Sequence, residues 1–332
     1  MSTVEELLEE HDLKITDFHN INTLVDAMVE FTDDIDSKKI DLGFPLLHAE
    51  LRGLRVQELL TVIAGAGVGK SALNLNFMLN YAKATGELTI LFSLEMSKVG
   101  IGERIFQIEL DKYGYEVEKN FVANDEVFIN QCRGLHSSLK NFILVTKRID
   151  VHQIPVYVKI IEVMMGKKAR LVGVDYIGLM GNHLFPKDEY ARTTDNMIKI
   201  YSYAKELDVG ILNLSQTSRA DIKYGEALTI HSGKSSGEVE NSSDFVITLE
   251  VVLDDTRSVD EQGILSWLET YCTAKNEALD LMRMTTQKNR REKKQIIYVI
   301  LNRKNLRMTE YCRGDYSLTK PTGEYEENEL EF

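Results

Sequence analysis

Cysteine is scarce in this 332-residue chain: Cys132, Cys272 and Cys312 are the only three. They are widely spaced and odd in number, which excludes a disulfide framework and a clustered zinc site and fits a reducing compartment. Long apolar runs are also missing. None approaches the ~18 residues needed to cross a bilayer, and the acidic N-terminus shows no basic stretch followed by an apolar one, so neither a membrane span nor a secretory signal is expected. No internal repeat and no low-complexity linker interrupts the chain. Positive charge is in deficit as well, with 39 Lys and Arg against 52 Asp and Glu, a net charge of −13. At face value that total argues against nucleic acid as a partner, because phosphate binding needs cations.

The charge is unevenly placed. Residues 1–36 hold eleven carboxylates against Lys14 alone, and residues 310–332 hold seven against Arg313 and Lys320. The body between them therefore carries a slight positive excess, and the average describes the ends. A hydrophobic fraction of 43% is enough for a sizeable core and excludes global disorder. The length suits two domains or one enlarged α/β domain.

In the acidic N-terminal segment, Ile21, Leu24, Val25, Met28 and Val29 fall at helical spacing, predicting a helix within 17–31 with carboxylates on its other face. It reads either as a peripheral helix packed on its own domain or as an arm for a neighbouring subunit. From residue 59 strands and helices alternate. Apolar runs at 59–63, 88–94, 142–145, 171–174, 210–214 and 245–249 read as buried strands, and 70–84, 99–110, 153–165 and 193–207 as helices. Strands without polar alternation, separated by helices, imply a mostly parallel sheet flanked by helices on both faces. Farther on, Leu265 to Met284 reads as a helix. A basic run follows, in which Arg283, Lys288, Arg290, Arg291, Lys293, Lys294, Arg303, Lys304 and Arg307 face Glu292 alone. This run is either an added nucleic-acid or partner contact or a solvated insertion.

The strongest motif is Ala64-Gly65-Ala66-Gly67-Val68-Gly69-Lys70-Ser71, placed between the first strand and its helix. It matches a phosphate loop, with Ala64 where the first glycine usually stands. Glycines let backbone N–H groups turn inward around phosphates, Lys70 reaches the β- and γ-phosphates, and the Ser71 hydroxyl suits Mg²⁺. Four later segments follow in order: Phe92-Ser93-Leu94-Glu95-Met96 with Arg104 beyond it, Leu171 to Asp175 followed by Tyr176-Ile177-Gly178-Leu179-Met180, Leu212 to Arg219 containing Gln216, and Ser236 to Asp244.

Together with Leu42 to Leu54, these segments resemble the ATPase part of DnaB-like replicative helicases over about residues 40–320. The resemblance implies a RecA-like phosphate-loop NTPase core preceded by an N-terminal helical arm. It divides the chain into an acidic arm or linker helix (1–40), the ATPase domain (41–320) and an acidic tail (321–332). It implies that ATP and Mg²⁺ are bound by residues 65–71, with Ser71 and Asp175 on the metal, Glu95 activating water and Gln216 sensing the γ-phosphate. The family's Lys-x-Arg finger spacing is not reproduced at 300–307. Arg303 matches best, with Lys304 or Arg307 as its helper. The resemblance further implies a homo-hexamer that translocates on single-stranded DNA and unwinds duplex during replication in a bacterial or phage-infected cytoplasm. A primase or helicase loader would be a further partner. DNA would contact the 219–235 loop, with Arg219, Lys223, His231 and Lys234, and the 181–192 loop, with Phe185, Lys187 and Arg192. Only about 40 residues precede the core, so a collarless phage or plasmid type is expected. Two other readings stay open: a recombinase-type strand-binding ATPase, and a nucleotide-dependent ring scaffold.

Overall fold

The computed structural model describes residues 3–11, 13–15, 18–217, 228–230, 236–252, 258–275 and 278–311. Its contacts divide the chain into two compact units, Met1–Lys39 and Ile40–Phe332. The first holds α1 (Val4–Glu10) and α2 (Ile21–Thr32). Asn20 caps α2 by accepting from the N–H groups of Asn22 and Thr23, which sets the start of the helix four residues later than the sequence range. Its apolar residues Ile21, Leu24, Val25, Met28 and Val29 are all exposed.

The second unit is built on a nine-stranded sheet. Its strands are β1 (Leu59–Ala64), β2 (Leu88–Ser93), β3 (Phe142–Val145), β4 (Ala169–Asp175), β5 (Gly210–Gln216), β6 (Phe245–Val251), β7 (Leu279–Asn289), β8 (Ile296–Asn302) and β9 (Met308–Glu310). They lie in the order β9-β8-β7-β6-β1-β5-β4-β2-β3. The six strands from β6 to β3 pair in parallel, and β7, β8 and β9 extend one side as an antiparallel meander. Every residue of β1 and β2 is buried, as central strands covered on both faces require. Alternation sends Leu60 and Val62 into one core, with Phe77, Met78 and Leu212, and Leu59 and Ile63 into the other, with Ile90, Val172 and Ile200.

The helices of this unit are α3 (Pro45–Leu51), α4 (Lys70–Thr85), α5 (Lys98–Leu110), α6 (Gly114–Val122), α7 (Glu126–Gly134), α8 (Ile154–Met165), α9 (Glu189–Glu206), α10 (Ser236–Asn241) and α11 (Val259–Lys275), single turns aside. The sequence reading fails at one place here. The stretch 265–284 is not one helix: α11 ends at Lys275, and residues 279–284 begin β7. Leu279 to Met284 pair with β8 on one side and, from Met282, with β6 on the other, so two ladders outweigh local helical spacing. The added helix and strand enclose a small core of Ile264, Leu268, Leu281, Ile300 and Tyr311.

The basic run also has a structural explanation. Arg283 pairs with Glu250 and Glu261, Arg290 with Asp244 at 2.7 Å, Arg291 with Glu58, Arg303 with Asp280 and Lys304 with Asp111. Arg291 also donates to the carbonyls of Leu51 and Gly53 at 2.7 and 2.6 Å and lies over the Phe245 ring. Within this run Arg290 and Arg291 form a clasp that holds the β7–β8 hairpin to Asp244, to the end of α3 and to the start of β1.

Candidate nucleotide site

Four strand ends meet at one edge of the sheet. The parallel register sets Ser93 of β2 beside Asp175 of β4, and Ala64 of β1 beside Gln216 of β5. This is the carboxyl edge, where open α/β sheets bind ligands. Here the chain leaves β1 through residues 65–69 and enters α4 at Lys70. Gly67 and Gly69 have φ of +76° and +103°, a region L-residues rarely adopt, so the loop's path depends on them. Gly69 is also crowded, since a Cβ there would lie 3.0 Å from the Met308 side chain.

A cleft of about 340 Å³ opens over this edge. Ala66, Gly67, Gly69, Lys70, Ser71, Glu95, Arg104 and Gln216 line it, together with Leu301 and Leu306 from the far end of the meander. Lys70 is nearly buried, and its ammonium donates to the Gly65 carbonyl at 3.3 Å. Burial pulls its pKa below the usual lysine range, against the opposing pull of the Asp175 and Glu95 carboxylates. Asp175 is 2% exposed, and burial pushes its pKa up although the Ser71 hydroxyl donates to it. Its Oδ1 is buried with no hydrogen-bond partner, as is the Ser93 hydroxyl beside it. A serine hydroxyl and an orphaned carboxylate oxygen are oxygen donors that fit a hard divalent cation, while the nearby Lys70 ammonium suits the phosphate such a cation accompanies. Glu95 is exposed at the mouth of the cleft, and Arg104 is half-buried on α5.

The site residues expected from the sequence thus fall into three groups. Ala66, Gly67, Gly69, Lys70, Ser71, Glu95 and Gln216 line one cleft with Arg104, and Asp175 is buried behind it in hydrogen-bond contact with Ser71. Arg303 does not line it. It sits in the turn after β8, 63% exposed and bonded to Asp280 at 2.5 Å. Arg307 donates to the Ile108 carbonyl at 2.8 Å, and Lys304 lies 3.5 Å from Asp111. The third group, Arg219, Lys223, His231 and Lys234 of the 219–235 loop, lies outside the described residues. Asp244, at the end of the Ser236–Asp244 segment, is at the opposite edge of the sheet. There it accepts from the Leu59 N–H at 2.9 Å and pairs with Arg290, an architectural position.

Two contributors escape the sequence reading. Ser93 lies within the Phe92–Met96 segment but looks like an ordinary strand residue until the register places it against Asp175. Asn76, on α4, is 2% exposed; its side-chain amide donates to the Leu306 carbonyl at 2.9 Å, and its side-chain oxygen accepts from the Met308 N–H at 3.0 Å. It fastens the Arg303 turn to the helix that begins at the phosphate loop. No sequence signal indicates this, because its partners lie more than 200 residues away.

A phosphate loop at the carboxyl edge of a mostly parallel sheet, with a buried strand-end Asp beside it, defines a RecA-like phosphate-loop nucleotide-binding protein. Residues 39–309 match the DnaB-like helicase C terminal domain, and the chain belongs to that family. It is 27% identical over 238 residues to the replicative DNA helicase DnaB of Leifsonia xyli subsp. xyli, covering 68% of this chain and 51% of that protein. It is 28% identical over 237 residues to the replicative DNA helicase DnaB of Mycoplasma genitalium, covering 67% and 48%. The chain therefore spans about half the length of these relatives. Among solved structures, one isolated ATPase domain superposes with a TM-score of 0.68 at 19% identity, over 86% of this chain and 97% of that one. A DnaB-like replicative helicase studied with its primase interactions gives 0.69 at 18%, over 92% and 70%. At these identities the structural likeness concerns the fold. No described helix is long and apolar enough to cross a membrane.

Proposed function

We propose that this chain is the ATP-driven motor of a replicative DNA helicase. The observation that carries the reading is the convergence of the phosphate loop, Lys70, Ser71, Glu95, Arg104 and Gln216 on one cleft, with Asp175 buried behind it and hydrogen-bonded by Ser71. In this reading the loop N–H groups and Lys70 hold the phosphates of ATP. Ser71 and Asp175 hold Mg²⁺, which neutralises charge on the phosphate oxygens. Glu95, at the mouth and within electrostatic reach of Lys70 and Asp175, orients the attacking water and accepts its proton. Gln216, at a strand end leading toward the 219–235 loop, relays nucleotide state to bound DNA. Arg303 faces solvent and serves a neighbouring subunit's nucleotide, where a fixed cationic fork stabilises the transferring phosphoryl group. The exposed apolar face of α2 docks on an adjacent subunit of a hexameric ring, and single-stranded DNA passes through the ring. By its likeness to the DnaB-like helicases, a primase or loader is a further partner, and the working compartment is the cytoplasm.

The test is fork unwinding with Mg²⁺ and ATP, beside ATPase assays with and without single-stranded DNA. DNA-stimulated hydrolysis and unwinding, both abolished in Lys70→Ala, are expected. Hydrolysis with strand pairing in place of unwinding would establish the recombinase-type reading, and ring assembly without turnover the scaffold.

A further inference from the structure

Away from the nucleotide cleft, two imidazoles and a carboxylate from separate parts of the chain converge. Asp150 precedes the single turn at Val151–Gln153, and His183 follows β4 by eight residues. The two segments are joined by backbone hydrogen bonds, from Val151 N–H to the Gly181 carbonyl and from Gly181 N–H to the Ile149 carbonyl, both 2.9 Å. The Asp150 carboxylate accepts from the backbone N–H groups of His152 at 3.0 Å and His183 at 2.6 Å. Those two bonds already complete its capping role. Yet both rings turn to it as well: His152 Nδ1 lies 2.8 Å from Oδ1 and His183 Nδ1 lies 3.2 Å from Oδ2, with ring centroids 4.5 Å apart.

The ligand atoms of all three residues lie within 4.8 Å of one another. The two nitrogen–oxygen separations, one to each oxygen of the carboxylate, are of the order of the ~3.3 Å between neighbouring ligands that zinc–ligand bonds of ~2.0–2.1 Å produce in a tetrahedron. The backbone is also held in advance. Asn182, between Gly181 and His183, donates to Asp195 and Asn196 of α9 at 2.6 and 3.0 Å, and Asn196 donates to the Met180 carbonyl at 3.1 Å. Pre-positioned ligands lower the ordering cost of binding.

We propose that Asp150, His152 and His183 form a binding site for a borderline divalent transition metal of the zinc, cobalt or nickel class. Two imidazole nitrogens in a three-ligand set select these ions over Mg²⁺, which prefers oxygen. Each neutral ring keeps its single proton on Nε2 when Nδ1 ligates. A fourth position is open toward solvent on the His183 side, whose ring is 64% exposed. The ion ties the segment before α8 to the root of the 181–192 loop and stiffens that root. This site is independent of the nucleotide cleft and does not rest on the helicase reading.

The experiment titrates Co²⁺, and Zn²⁺ in competition, into the full chain without a polyhistidine tag, with Mg²⁺ saturating. One Co²⁺ per chain is expected, with the visible bands of nitrogen and oxygen ligation and no thiolate charge-transfer band. His183→Ala and His152→Ala should each weaken binding at least tenfold. Zn²⁺ should slow limited proteolysis at 184–188 several-fold in the wild type and leave it unchanged in His183→Ala. Because His183 is exposed, its alanine variant should keep the metal-free thermal midpoint and so report on ligation alone. Equal affinity in the double variant, no binding by the wild type, or a thiolate spectrum overturns the proposal.

Discussion

Lys70 and Asp175 are each disfavoured in their charged forms by burial, and the opposite charge of each offsets part of that cost in the other, for Asp175 after the Ser71 hydroxyl. Such a pair holds its charges at a cost that an incoming phosphate and cation remove, which is how a site can be ready for a ligand before it arrives. Glu95 differs because it is exposed and nothing in the fold requires it. Glu95→Gln should therefore leave folding and nucleotide affinity within about twofold while turnover falls by about 10²- to 10⁴-fold, the usual weight of a positioned general base. Fluorescent-nucleotide binding beside steady-state phosphate release checks both halves, and normal turnover removes Glu95 from the catalytic role. The cleft's main contributors were legible in the sequence because phosphate chemistry imposes residue type and order along the chain. Ser93 and Asn76 were not, because their importance arises from strand register and from a contact spanning the domain.

Elements tell a similar story. The parallel strands read out of the sequence because each is a buried apolar run between helices, whereas β7 did not, since its polar residues are made tolerable only by pairing on both sides and by ion pairs. Arg291→Ala should leave Glu58 without its partner and two carbonyls without their donor. The loss is about 3 kcal/mol, toward the low end for breaking a buried pair because both groups retain some solvent contact. Urea unfolding measures it, and a loss below about 1 kcal/mol would remove the clasp role. At the other end of the meander, Glu310 of β9 accepts from the Leu46 and Leu47 N–H groups at the start of α3. Burial pushes its carboxyl up to about 7 despite those two bonds. A raised acid binds its proton more tightly folded than unfolded, so its contribution to stability is full below about pH 4.5 and is lost as pH rises through 7. Stability at pH 8 should therefore fall short of that at pH 5 by up to about 3 kcal/mol on this account. Glu310→Gln should flatten that component in unfolding curves taken at the two pH values, and an unchanged slope would place the titration elsewhere.

For the whole molecule, the proposed function requires that the charge total, which argues against nucleic acid, be read by where the charges lie. Acidity is concentrated at the ends of the chain, and five of the nine basic residues between 283 and 307 pair with carboxylates of the same chain. What remains for DNA in the proposed ring is a few loops, so affinity should depend on assembly more than on any one chain. If each site is completed by a neighbour, mixing Arg303→Ala with Lys70→Ala subunits should restore part of the activity that each lacks alone, through sites combining an intact Lys70 with an intact Arg303. Hydrolysis measured across mixing ratios checks this, and no rescue from folded, ring-forming variants would place the finger elsewhere. The Asn76 fastening then acquires a meaning beyond packing. The helix that starts at the phosphate loop and the turn that carries Arg303 are joined by one side-chain amide, so they shift as one piece. In the proposed ring, a change of nucleotide in one cleft would thereby displace the arginine offered to the next, and the order in which sites fire would need no messenger other than that link.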